Sequence, residues 1–133
     1  MLKRFTAILA LVLGVGISFP SLAGEFSFTF KWGNIPGCDN GYTYTGKSPI
    51  FTLSNVPEGT RQIAFAMKDL NVDYDHKGGV VKYAGGNIIP FGAFGYLIPC
   101  PPGGSHVYEW TAYAENAKGD ILATAKSKRK YPK

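Results

Sequence analysis

Pro99-Cys100-Pro101-Pro102-Gly103-Gly104-Ser105-His106-Val107-Tyr108 runs straight into an alternating segment that ends at Ala114. Adjacent prolines stop a helix and cannot donate to a sheet ladder. The two glycines after them permit a sharp turn. The chain therefore enters a strand from a stiff, kinked loop, and His106 stands at the mouth of that strand. From there His106, Tyr108, Trp110, Ala112 and Ala114 share one face, and Val107, Glu109, Thr111 and Tyr113 share the other.

The same period of two recurs on both sides of this segment. Phe26, Phe28, Phe30 and Trp32 alternate with Ser27, Thr29 and Lys31, which predicts a half-buried strand over 25–32. Residues 33–47 are rich in Gly, Asn, Asp and Tyr and read as a loop, followed by a short strand over 50–53. Pro57-Glu58-Gly59-Thr60 is a turn. Residues 61–70 are nearly continuously apolar, which predicts a central strand buried on both faces. Residues 71–79 read as irregular, 80–83 as a short strand, and 91–104 as another loop. Asn116-Ala117-Lys118-Gly119-Asp120 turns the chain into a last strand from Ile121 to about Lys130. No segment has helical amphipathicity, and the predicted fold is all-β with long Gly/Pro-rich loops at one end.

The N-terminus has a different character. Lys3 and Arg4 precede an apolar run from Phe5 to Ile17, and Ser21-Leu22-Ala23 supplies the small residues of a cleavage site. Residues 1–23 are predicted to be a cleaved signal peptide, because the apolar run is short of the roughly 20 residues that a membrane span needs. Residues 24–133 are then expected to form one domain, periplasmic or secreted, with no transmembrane anchor after processing.

The whole chain carries 14 Lys and Arg against 9 Asp and Glu, a net charge of +5. Lys126, Lys128, Arg129, Lys130 and Lys133 crowd the end. Lysines of this kind guard an exposed sheet edge. The tail has no aromatic stacking series and no nucleic-acid motif, so nucleic acid is not an expected partner.

Two cysteines in an exported chain predict one disulfide, Cys38–Cys100. Closing so long a loop stabilises the fold by about 3–4 kcal/mol where geometry permits. Their spacing suits neither a CxxC redox motif nor a zinc site.

Three polar groups carry the candidate chemistry. Asp69 closes the apolar strand in phase with Ile63, Phe65 and Met67, and a carboxylate on a buried face must be paired. His76 follows Asp73-Tyr74-Asp75, and His106 opens the long strand two residues before Tyr108. One Asp, two His and a Tyr make an anion-binding pocket when the imidazoles supply N–H donors. Catalysis is not expected. Ser105 and His106 are strand neighbours and point to opposite faces, the serine lacks a G-x-S-x-G context, and Asp73, Asp75 and His76 make no complete metal set. Neither a metal nor a cofactor is predicted.

Ser48-Pro49, Pro57-Glu58-Gly59-Thr60, Asp69, His76 and the run from Cys100-Pro101-Pro102 to His106-Val107-Tyr108 together resemble the phosphatidylethanolamine-binding protein (PEBP) family. This family is also known as the Raf kinase inhibitor protein family. The likeness is to its short secreted bacterial YbhB/YbcL-like branch and spans about Ser48 to Ala114. It implies a β-sandwich of antiparallel sheets. It also implies a pocket of Asp69, His76, Pro101, His106 and Tyr108 for a small anion or a phospholipid headgroup. The chain departs from the family pattern in having Leu70 and Asn71 after Asp69 with no DPDAP proline, Lys77 where tryptophan is common, and Val107 in place of arginine. Lys77 and Lys82 are candidates for the missing positive charge. The function expected is therefore that of a non-enzymatic exported binding protein. The alternative is a protein-interaction module or inhibitor of an exported hydrolase, acting through Tyr42, Tyr44, Phe91, Phe94 and Tyr96 and a protein partner.

Overall fold

The computed structural model describes residues 16–17, 24–38 and 42–132. The expected leader over residues 1–23 lies outside the described residues except for Gly16 and Ile17, as does Lys133 of the basic end. Among the described residues the secondary structure is all β, and no helix is long and apolar enough to cross a membrane.

The strands are β1 (Ser27–Lys31), β2 (Thr45–Lys47), β3 (Ile50–Ser54), β4 (Gln62–Asp69), β5 (Tyr74–Lys82), β6 (Ile88–Ile89), β7 (Gly95–Leu97), β8 (His106–Glu115) and β9 (Ile121–Tyr131). They form a four-stranded sheet in the order β5-β4-β8-β9, a three-stranded sheet β1-β3-β6 and a ribbon β2-β7, and each pairing is antiparallel.

The two larger sheets face each other across an aromatic core. Phe28, Phe30 and Phe51 come from one side, and Ile63, Phe65, Met67 and Trp110 from the other, all buried. Phe51 of β3 stacks on Phe65 of β4 with ring centroids 4.2 Å apart and meets Trp110 of β8 edge-on at 5.3 Å. Each such side chain contributes about 1.5–3 kcal/mol by leaving water. The indole of Trp32, just past β1, donates to the Lys130 carbonyl at 3.1 Å and ties the two sheets at one corner. At the opposite end of β8, Asn116 holds the hairpin, its side-chain oxygen accepting from the backbone N–H of Lys118 (2.9 Å) and of Asp120 (3.0 Å).

Several expectations are corrected. Strand β4 is central in its sheet but is not buried on both faces. Ile63, Phe65, Met67 and Asp69 point inward, whereas Ala66 and Lys68 are exposed. Ala64 and Ala66 on the outward face had made the run look nearly uniformly apolar, yet an antiparallel sheet can leave one face to water. Residues 74–79 are not irregular; they belong to the nine-residue β5, paired with β4. The two long loops each contain a strand, β2 and β7, of three residues. Strand β9 is the sheet edge expected from its basic residues, with Lys126, Lys128 and Lys130 exposed along it.

Candidate functional site

Three strand ends converge beside the disulfide: the C-terminal end of β4, the N-terminal end of β5 and the N-terminal end of β8. In the register Asp69 lies opposite Tyr74 on one side and Tyr108 on the other. Period two along β4 turns Asp69 inward, where its side chain is 4 % exposed. Both of its carboxylate oxygens accept a hydrogen bond. One oxygen accepts from the backbone N–H of Asn71 at 2.8 Å, and the other from His106 Nδ1 at 2.6 Å. The Asn71 side chain in turn accepts from the N–H of Val107 at 2.8 Å, so the chain leaving β4 is fastened over the start of β8.

His76 reaches the same place by a different device. Lys68 pairs with Asp75 and Ala66 with Gly78, so His76 and Lys77 together oppose the single residue Met67. This β-bulge reverses the inside–outside phase of β5. Val81 and Gly79 face the core, and by strict alternation Lys77 would follow; the extra residue turns His76 inward instead. Lys77 takes the cost of the bulge with φ of 64°. Asp75 steadies it by accepting from the Lys77 N–H at 2.8 Å and the Lys77 ammonium at 3.0 Å. The backbone N–H first, and then the ammonium, hold the Asp75 carboxyl below its usual range.

The buried His76 ring places Nδ1 2.6 Å from the Leu97 carbonyl. A carbonyl only accepts, so the proton is on Nδ1, and Nε2 is the atom left to the cleft. Burial pushes the His76 pKa down, against the raising effect of the Leu97 hydrogen bond and the Asp69 charge. His106 is held the same way, with Nδ1 engaged by Asp69. Tyr108 lies between the rings, 5.3 Å from His76 edge-on and 6.3 Å from His106 stacked. Burial, then the Asp69 charge, push its phenol pKa up, so the hydroxyl stays protonated. That hydroxyl is buried near Asp69 and has no hydrogen-bond partner of normal geometry among the described residues.

Asp69, His76, His106 and Tyr108 thus line one cleft of about 450 Å³. Pro101 is not among its described lining residues; Pro102 is. Cys100 forms part of the wall, and its bond to Cys38 closes the disulfide with 5.7 Å between Cα atoms. Tyr42, Thr43, Val72 and Tyr74 complete the lining, none of them singled out from the sequence as pocket residues. Tyr74 had a signal, since it is two residues from His76 on one strand; Tyr42 and Thr43 arrive from a distant loop and had none. Lys77 and Lys82 do not replace the missing charge at the cleft. Lys77 is exposed and paired with Asp75, and Lys82 is exposed at the far end of β5. Of the aromatics considered as an interface, Tyr96 is 2 % exposed and Phe94 packs on the core, stacked 5.6 Å from Phe65. They serve the interior.

No family model matches the chain, and no curated protein matches its sequence. Two solved structures match its fold. One is the crystal structure of E. coli YbcL, described as a new member of the mammalian PEBP family. It is 21 % identical with a TM-score of 0.55, and the match covers 81 % of this chain and 98 % of that one. The other is a PEBP homologue from Chlamydia trachomatis, 20 % identical with a TM-score of 0.53, covering 82 % of this chain and 98 % of that one. The chain has a PEBP-like fold.

Proposed function

We propose that this chain is a non-enzymatic exported binding protein whose cleft takes a small oxyanion, in the leading case the phosphate of a phospholipid headgroup. The observation that carries this reading is the pair of imidazoles fixed through Nδ1, His76 on the Leu97 carbonyl and His106 on Asp69, at one cleft. Each has Nε2 left for a ligand, and a protonated ring donates to an oxyanion in a charge-assisted bond of about 1.5–3 kcal/mol. The buried Tyr108 hydroxyl, which has no partner of normal hydrogen-bond geometry among the described residues, is a further donor. The names of the two structural neighbours point the same way. The disulfide and the leader-like N-terminal sequence support export.

Asp69 is an orienting group in this reading rather than an ammonium acceptor, because it is buried and each of its oxygens already holds a backbone or imidazole N–H in place. An ethanolamine ammonium would meet the aromatic mouth at Tyr42 and Tyr74 instead. Among the described lining residues the aliphatic hydroxyl is that of Thr43, which donates to the Ile98 carbonyl at 2.6 Å.

Two-dimensional amide NMR during addition of phosphoethanolamine, and separately of inorganic phosphate, tests the proposal. Saturable shifts confined to the surroundings of Asp69, His76 and His106 are expected, and they should be lost in His106→Gln. An unchanged spectrum at millimolar concentration of both would overturn it.

A further inference from the structure

A second cavity, of about 350 Å³, lies next to the β2–β7 ribbon and shares no lining residue with the cleft. Thr43 lines the cleft, whereas Tyr44 to Lys47 line the second cavity. Its walls are fixed by specific contacts. The Phe91 ring packs against Gly33, where a Cβ would come within 2.6 Å of ring carbons, and Gly33 has a φ of 73° that favours glycine. The Tyr44 hydroxyl donates to the Pro36 carbonyl at 2.9 Å and closes another side. Gly92, at φ 79°, packs on the Lys47 stem and donates its N–H to the Ser48 carbonyl at 2.9 Å. The buried Ile98 completes the apolar wall.

The polar side chains among its described lining residues are few: Asn34, Tyr44, whose hydroxyl is already bonded to the Pro36 carbonyl, Thr45 and the exposed Lys47. Carboxylates are absent from its described lining residues, and Lys47 takes no part in the ion pairs among described residues. An apolar cavity of several hundred Å³ with a small number of convergent polar groups is the usual form of a small-molecule site. Lys47, the one charged residue among the described lining residues, sets the charge of the ligand, and the walls set its body. We propose that this is a second ligand site, for a small carboxylate with an apolar body, with Lys47 as its counter-ion. It does not depend on what the cleft binds.

Octanoate is a suitable probe, with octan-1-ol as its uncharged counterpart, read by amide NMR of the full exported chain. Octanoate should give saturable shifts at Gly46, Lys47, Gly92 and Ile98. Lys47→Met keeps the stem and removes the charge. It should weaken octanoate by about tenfold, the scale of one charge-assisted contact, and leave octan-1-ol unchanged. Three results would each overturn the proposal: no shifts below the micellar range of octanoate, equal octanoate affinity in Lys47→Met, or shifts that map to His76 and His106 instead.

Discussion

The two histidines are held alike and surrounded differently. Asp69 hydrogen-bonds His106, whereas His76 bonds to a carbonyl, and burial pushes its pKa down against that bond and the charges of Asp69 and Asp75. An unfolded histidine titrates near about 6.5. Between that value and the lower folded one, the unfolded chain binds a proton that the native His76 does not. Native stability therefore falls as pH drops through about 6.5 and levels off below the folded value. Thermal melts from about pH 7.5 to about pH 5.5 should show this decline, and His76→Gln should flatten it. An unchanged slope in the variant would remove His76 as the cause. Because an oxyanion selects the cationic ring, its affinity should rise over the same interval. Sulfate, whose own charge is constant there, is the clean probe. Asp69→Ala strands the His106 Nδ1–H and the Asn71 N–H, and should cost about 1–3 kcal/mol in urea unfolding. A loss near zero would mean that water replaces the carboxylate. Asp69 and His106 were legible in sequence because each sits in phase with an apolar strand face. Their direct contact was not, since nothing local relates residues 37 apart.

At the scale of elements, the same periodicity explains what the sequence revealed and what it hid. Strands β1 and β8 alternate cleanly and stand within two residues of their expected ends. Strand β5 does not alternate: Gly78 and Gly79 carry no side chain and the bulge breaks its phase, so its first half read as irregular. Those glycines are needed for close approach. A Cβ on Gly78 would land on the Phe65 carbonyl, and one on Gly79 would strike the Phe94 ring. Strands β2 and β7 have three residues each, too few for any pattern to emerge. The bulge is nevertheless what puts His76 in the cleft, and it can be tested directly. Deleting Lys77 removes the extra residue and leaves His76 alone opposite the inward-facing Met67, so His76 keeps its inward face. The deletion variant should keep both a β-rich circular dichroism spectrum and the phosphate-induced shifts; loss of the shifts would show that the local bend of the bulge, and not the strand phase alone, aims the ring. Lys77→Gly relieves a left-handed residue and should be neutral or stabilising by up to about 1 kcal/mol. A clear destabilisation by glycine would show that the Asp75–Lys77 ammonium contact, rather than backbone conformation, sustains the bulge.

For the whole molecule the question is what the disulfide adds to a core that already spans both sheets. The stack of Phe51, Phe65 and Phe94 with Trp110 joins β3, β4, β8 and the loop before β7 without help from Cys38. Cys38 instead fastens the 33–38 segment to the proline loop, across a sequence separation of 62. The sandwich should therefore survive reduction, while the cleft wall at Cys100 should not keep its position. Closing a loop of this length accounts for about 3–4 kcal/mol through the entropy of the unfolded chain. A Cys38→Ser, Cys100→Ser double variant should unfold cooperatively at a lower urea midpoint, with a stability lower by about that amount. Its core amide signals should remain dispersed, and its affinity for phosphate should fall because Pro102 and Cys100 no longer hold the mouth of the cleft. A variant that binds phosphate as well as the parent would assign the disulfide to stability alone. One that fails to fold would show that the aromatic core is insufficient without the constraint, and that the loops at this end, which long runs of Gly, Pro and Asn leave with little apolar surface, depend on it.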